Sequence, residues 1–370
     1  MTTLFDQQRE AAMVAFLTRI GLGAGDVSPL AGDASMRRYL RVAHGGAVSV
    51  LMDAPPGANE RMDSFVAVTA TLRSLGLSAP EVIAADLDAG FLLLEDLGDD
   101  LFARIMAAQP SDEAELYDAA VDLLAALPDA EPANPPAGVR PYDLPTYRRE
   151  ARLVIDWYVA GAASPLAEDA AAEFGALIDA AMTTLPNDAP VLVLRDYHAE
   201  NLIWLPGRVG HARVGLLDYQ DALVGHRAYD LVSLLEDARR DVDPALATQL
   251  FDRFGERCGL DAAGRQALQA AYDLLGAQRN LKILGIFARL ALRDGKPRYL
   301  DLIPRVWRYL ERDLQSPSCR ALAGFVTRHI PPPTPEVLAR LSTAAGVERP
   351  GNEHPGSGHP GGGDRRAAGR

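Results

Sequence analysis

Residues 191–218 break a long run of helical periodicity with three short apolar segments, 191–195, 201–204 and 214–217. Arg195-Asp196-Tyr197-His198-Ala199-Glu200-Asn201 joins the first two, and the third runs into Leu217-Asp218-Tyr219-Gln220-Asp221. Short apolar runs bounded by acids and amides read as strands with polar tips. A loop bearing Asp196 and Asn201, faced by Asp218 from the next strand, gathers oxygen donors in one place. That set suits a hard divalent cation such as Mg²⁺, which completes its shell with water and phosphate oxygens. Singly, each residue is an ordinary turn former at a strand end; the ordered set is what points to chemistry.

What flanks this island is of two kinds. Residues 4–20 read as an amphipathic helix, 38–42 and 47–52 as strands joined by a turn at His44-Gly45-Gly46, and 59–75 as a second helix. Val82-Ile83 and residues 91–95 add short strands. Helical patterns follow at 111–127, 145–160 and 163–185, interrupted by a proline-rich connection, and dominate beyond Tyr229. A strand-rich start and a helix-rich remainder predict an α+β chain of two lobes: residues 1–97 a small antiparallel sheet with helices, residues 98–345 mostly helix around the island. From Gly346 the tail holds eight glycines and three prolines, with no large apolar residue after Val347, and is expected to be disordered.

The spacing Asp196…Asn201…Asp218 matches the kinase pattern of a loop Asp, an Asn five residues on, and a metal-binding Asp at a strand-to-loop turn. With Tyr229-Asp230-Leu231 it resembles the aminoglycoside phosphotransferase and choline kinase group. More narrowly, Gly32-Asp33-Ala34-Ser35, Met52-Asp53-Ala54-Pro55-Pro56, the segment 230–237 and the segment 278–287 resemble the anomeric kinases of cell-wall amino sugars. The resemblance covers residues 5–340. It implies a protein-kinase-like bilobal fold, ATP and Mg²⁺ as cofactors, and transfer of phosphate to the C1 hydroxyl of N-acetylmuramate or N-acetylglucosamine in peptidoglycan recycling. On that reading Asp196 is the catalytic base, Asn201 and Asp218 hold the metal, and His198 and Asp230 support the loop. Gly32, Ser35, Arg38, Arg41, Glu95 and Leu97 then line the nucleotide site, and Asp221 and Arg279 touch the acceptor.

One departure stands out. Kinases carry a lysine on the third strand that contacts the phosphates, and here Met52 is near that place. Arg38 and Arg41 are candidate substitutes, with Glu60 as a partner for the substitute. Asp96 and Asp99 are expected to cap the following helix. Two other readings remain: a kinase for another small molecule such as an aminoglycoside or choline, and a nucleotide-binding protein without activity.

Charge and composition exclude other classes. A net charge of −13 makes a poor general ligand for nucleic acid or anionic membrane. Cys258 and Cys319 are too few for a disulfide framework. No run of 18 apolar residues and no secretory-type start occurs, so a cytoplasmic protein is expected. The sequence leaves the oligomeric state open.

Overall fold

Gly45 (φ 58) and Gly46 (φ 83) both sit in the left-handed region, which a two-residue hairpin turn demands. They join the central pair of an antiparallel sheet built from β1 (Asp26–Pro29), β2 (Arg38–His44), β3 (Ala47–Asp53), β4 (Val82–Asp86) and β5 (Phe91–Glu95), in the order β1-β2-β3-β5-β4. The computed structural model describes residues 4–23, 26–30, 37–56, 62–130 and 135–344. Gly32, Ser35, Glu60 and the glycine-rich tail lie outside the described residues.

Both faces of this sheet are covered, which is why Phe91-Leu92-Leu93-Leu94 is apolar without alternation. Leu51, Phe91 and Leu93 pack on Phe16 and Leu17 of α1 (Leu4–Arg19). Met52, Leu92 and Leu94 join the main core beside Phe65, Val68 and Leu72 of α2 (Met62–Ser74). At the end of β3 the wholly buried Asp53 accepts from Arg9 Nε (2.6 Å) and Arg38 Nε (3.0 Å). The Met52–Pro56 motif is therefore a structural anchor between α1 and the sheet. Gly90 is obligatory beside it, because a Cβ there would lie 2.0 Å from the Ala54 carbonyl oxygen.

The second lobe comprises α3 (Phe102–Ala108), α4 (Glu113–Ala125), α5 (Leu144–Leu153), a π-helical stretch Val154–Val159 running into α6 (Ala160–Ala162), and α7 (Glu168–Thr183). After the island come α8 (Ala228–Leu235), α9 (Pro244–Arg257), α10 (Ala262–Leu292), α11 (Ile303–Asp313), α12 (Arg320–His329) and α13 (Pro335–Thr343). Asp143, Asp243, Asp261 and Thr334 cap their helices through side-chain oxygens. Helix α10 is buried through most of its second half and crosses α5 so closely that a Cβ on Gly285 would lie 2.2 Å from the Leu153 carbonyl carbon.

The island is two small sheets and not one. β7 (Val191–Val193) pairs with β10 (Leu223–Gly225), which also pairs with β6 (Arg140–Pro141); β8 (Leu202–Trp204) pairs with β9 (Val214–Leu216). Asp96 and Asp99 do not cap α3, whose N-cap is Leu101 with no side-chain bond. They bind Arg41 instead. Among the described residues no helix is long and apolar enough to cross a membrane.

Candidate active site

The chain leaves β7 through a backbone conformation that few residues adopt. Arg195 has φ 75, a left-handed geometry costing on the order of 1–3 kcal/mol in a non-glycine residue. Several contacts hold it there. The Asp230 carboxylate on α8 accepts from Leu194 N (2.6 Å) and Arg195 N (2.8 Å). Ser233 Oγ donates to the Arg195 carbonyl (3.1 Å), and the Arg195 guanidinium pairs with Glu150 of α5 and donates to the Asp221 carbonyl (3.3 Å). Burial pushes the Asp230 carboxyl up to about 7, against the two N–H donors.

The turn presents Asp196, half-buried, at the head of the loop. Burial works to raise its pKa, but Lys282 of α10 and then Arg195 outweigh it and hold the carboxyl below its ordinary range. Asp196 is therefore ionised at neutral pH. Asn201 Nδ2 donates to the Asp196 carbonyl (2.9 Å), which leaves Oδ1 as the amide's remaining ligand. His198 is buried, and its pKa falls to about 4, chiefly through desolvation. Its Nε2 accepts from Arg239 Nη1 (3.0 Å). A neutral imidazole so bonded keeps its one N–H on Nδ1 and carries no charge at pH 7.

Asp218 follows β9 in a second left-handed position, φ 56. It is exposed at the cleft, and Gln220 Nε2 donates to its Oδ1 (2.8 Å). The surrounding protein, then the Asp196 charge, push its pKa upward. Behind it Tyr219 stacks on Phe65 of α2 (5.3 Å between ring centres) and shares a 2.7 Å hydrogen bond with Thr69. Ser64 Oγ donates to the Gln220 carbonyl (3.1 Å). Helix α2 thus fixes the segment that carries Asp218.

The other expected residues separate. Asp221 is half-buried beside the loop, where its carbonyl takes Arg195. Arg279 is 4% exposed and donates to Ser233 Oγ (2.8 Å) and the Glu236 carbonyl (3.4 Å). Expected at the acceptor, it here braces Ser233, which in turn donates to the Arg195 carbonyl. Arg38, expected among the phosphate cations, pairs with Asp53, and Arg41 pairs with Asp96 and Asp99. Glu95 spends its carboxylate on Arg208 and Arg73, and its N–H on the Glu81 carbonyl. Leu97 lies at the junction of the lobes, its side chain against Gly215 of β9.

Sequence reasoning missed Glu150 and Lys282. Lys282 Nζ approaches Glu150 Oε2 (3.4 Å) and donates to Tyr229 Oη (3.3 Å). A signal for it existed: the chain has only two lysines, and this one interrupts the apolar run Leu281-Lys282-Ile283-Leu284.

Residues 26–270 match the phosphotransferase enzyme family. An N-acetylmuramate/N-acetylglucosamine kinase of Caulobacter vibrioides is 42% identical over 361 residues, covering 88% of this chain and 97% of that one. The Pseudomonas aeruginosa protein of the same name is 36% identical, covering 77% and 83%. Among solved structures, an ethanolamine kinase of Plasmodium vivax superposes with a TM-score of 0.60 at 11% identity, covering 86% of this chain and 90% of that one. A choline kinase of Streptococcus pneumoniae does so with 0.55 at 12% identity, covering 82% and 99%. The fold is that of the protein-kinase-like phosphotransferases, and the chain belongs to the phosphotransferase enzyme family.

Proposed function

We propose that this protein is an ATP-dependent kinase that phosphorylates the C1 hydroxyl of N-acetylmuramate or N-acetylglucosamine, giving the sugar 1-phosphate for cell-wall recycling. The observation that carries the proposal is the 42% identity to a kinase of that name across 88% of this chain. The charges beside Asp196 favour it over a kinase for polycationic antibiotics. Lys282 and Arg195 share one acid, Glu150, so this wall does not invite a polycation, whereas a sugar bearing a carboxylate suits it.

In this reading residues 1–97 form the nucleotide lobe and 98–345 the catalytic lobe, in the cytoplasm, where Cys258 and Cys319 stay as free thiols. Among the described residues no group of three His, Cys, Asp or Glu side chains could hold a metal ion. Asp218 and Asn201 Oδ1 nonetheless fit Mg²⁺, which needs few protein oxygens when phosphates supply the rest. The upward push on Asp218 from Asp196 is the repulsion a divalent cation would relieve. When bound, Mg²⁺ neutralises charge on the phosphates and the transferring group. Leu97, whose backbone N–H and C=O have no partner among the described residues, offers both to a base edge.

Asp196 then accepts the proton of the acceptor hydroxyl, and Lys282 and Arg195 keep it ionised for that task. An anomeric hydroxyl is more acidic than other sugar hydroxyls, so a carboxylate suffices. Positioning and charge neutralisation do the rest. Asp196→Asn should lower kcat by about 10²–10⁴-fold with nucleotide affinity kept, while Asp218→Ala should lose Mg²⁺-nucleotide affinity. Phosphorus NMR of the product should show a glycosyl phosphate coupled to the anomeric proton, and a methyl glycoside should not turn over. Phosphate on C6, or turnover of aminoglycosides but not of amino sugars, would replace this reading.

A further inference from the structure

We infer that Glu150 is a positioning residue for phosphoryl transfer, holding from α5 the strained turn that aims Asp196, an inference that rests on the kinase reading above. The strain is local. Asp196 N donates to the Leu194 carbonyl (3.0 Å) across Arg195, whose φ is 75. A bond spanning two residues with that φ at its centre makes a γ-turn of the positive-φ kind, rarer and more strained than the inverse form. Asp196 is the next residue, so the direction of its carboxylate depends on the turn staying shut.

Helix α8 fastens the main chain of this turn, through Asp230 and Ser233. Glu150 fastens the side chain at its centre. The Arg195 guanidinium pairs with the Glu150 carboxylate, and its other terminal nitrogen donates to the Asp221 carbonyl (3.3 Å), beyond Asp218. Glu150 is itself held. The Tyr142 hydroxyl donates to its Oε2, and Lys282 Nζ lies 3.4 Å from the same oxygen. Tyr142 in turn stacks on Tyr147 (4.0 Å between ring centres). Glu150 is buried on α5 with Thr146, Tyr147 and Ala151, where a glutamate is rare unless paired. Burial works to raise its pKa, but Lys282 and then Arg195 outweigh it and hold the carboxyl below its ordinary range. One charged group thus ties α5, α10 and the Arg195 turn together. Without it the Arg195 cation would be left buried and uncompensated, a costly state that is relieved when the side chain moves. The guanidinium then swings away, the turn opens and Asp196 shifts. Asp218 does not follow, because α2 fixes its segment through Tyr219 and the Gln220 carbonyl.

The test is steady-state kinetics of the full chain with Mg²⁺–ATP and N-acetylmuramate or N-acetylglucosamine, beside calorimetric titration with Mg²⁺–ADP. For Glu150→Gln we expect kcat to fall about 10–100-fold, the cost of displacing a catalytic group by up to about 1 Å, with Mg²⁺–ADP affinity within about threefold of wild type. The substitution leaves both cations beside Asp196, so the fall reads the position of the base and not the loss of its charge. Arg195→Met should lose a similar factor, and adding Glu150→Gln to it should cost no more than about twofold further, because Glu150 acts through Arg195. Gln278→Leu cuts another tie between α10 and α5, the bond to the Tyr147 carbonyl (3.1 Å), and should lower the melting temperature with kcat kept. Should Glu150→Gln fail to fold, Glu150→Asp, whose charge stops one methylene short of Arg195, should show the same loss of kcat in smaller degree. Wild-type kcat in the Glu150 variants, Mg²⁺–ADP affinity lost in step with kcat, losses that multiply in the double variant, or an equal slowing by Gln278→Leu would overturn the inference while leaving the kinase reading intact. Wild-type protein that phosphorylates neither sugar would overturn the amino-sugar kinase reading itself, and this inference with it.

Discussion

Replacing Asp230 should damage stability and turnover by separable routes. Its carboxylate, 2% exposed, takes both the Leu194 and Arg195 N–H groups. Hydrogen bonds to a charged acceptor contribute about 1.5–3 kcal/mol each. Asp230→Ala strands both donors and should cost about 3–5 kcal/mol, less than two full bonds because Arg195 then relaxes out of its left-handed conformation. Asp230→Asn keeps one acceptor oxygen but turns an amide N–H₂ toward the other donor, and should cost about 1–3 kcal/mol. Relaxation of Arg195 moves Asp196, and a displacement of about 1 Å costs on the order of 10²-fold in rate. Turnover of Asp230→Ala should fall accordingly, with Mg²⁺-nucleotide affinity nearly kept, because Asp218 is fixed by α2 and not by α8. The pH dependence has a definite sign. Burial raises the Asp230 pKa to about 7, against roughly 3.9 in the unfolded chain. The folded state therefore binds the extra proton, and its contribution is complete below about pH 4 and lost as pH rises to about 7. Wild type should exceed Asp230→Asn by more at pH 5 than at pH 8 in urea unfolding. An Asp230→Ala protein that unfolds and turns over like wild type, or an advantage over Asp230→Asn that grows with pH, would refute the reasoning.

Two further outcomes follow from packing. Gly285→Ala and Gly175→Ala are the same substitution in two helices and should have opposite signs. At Gly285 the new carbon meets the Leu153 backbone at 2.2 Å and should cost about 1–3 kcal/mol or more, whereas at Gly175 it meets only the Arg148 side chain at 3.6 Å and should gain up to about 1 kcal/mol from helix propensity. Thermal melts decide, and a Gly285→Ala protein as stable as wild type would show that α10 and α5 separate freely. Tyr219→Phe keeps the stack on Phe65 but removes the bond to Thr69. It should cost about 1 kcal/mol and weaken Mg²⁺-nucleotide affinity more than the affinity for sugar; equal losses in both would mean that Tyr219 does not set the position of Asp218.

What was legible in the sequence was what is local in the chain. The hairpin at residues 38–52, with its two glycines, and the loop between β7 and β8, with Asp196 near one end and Asn201 at the other, are short-range patterns that the spacing displays. Three-residue strands such as Leu223–Gly225 and the two-residue Arg140–Pro141 carry too little period to be read, so the division of the island into two sheets was hidden. Charges were harder still. An arginine in a strand looks the same whether it reaches a ligand or a buried carboxylate, and only the fold showed Arg38 on Asp53 and Arg41 on Asp96. The motifs behind the narrow resemblance prove to be mostly scaffold. In segments 230–237 and 278–287, Asn280 Nδ2 donates to Glu236 Oε2 (2.7 Å) and to Asp313 Oδ2 (2.9 Å), tying α10 to the end of α8 and to α11. Within the same segments Asp230 and Ser233 hold the backbone that leads to Asp196, and Arg279 holds Ser233. A buried polar lattice of this kind tolerates few substitutions, since each lost partner leaves an unsatisfied group in the interior. Such motifs mark a family strongly while saying little about its substrate. Glu150 and its two partners beside Asp196, Arg195 and Lys282, sit on separate elements that only the folded chain brings together, and no local motif could have announced them.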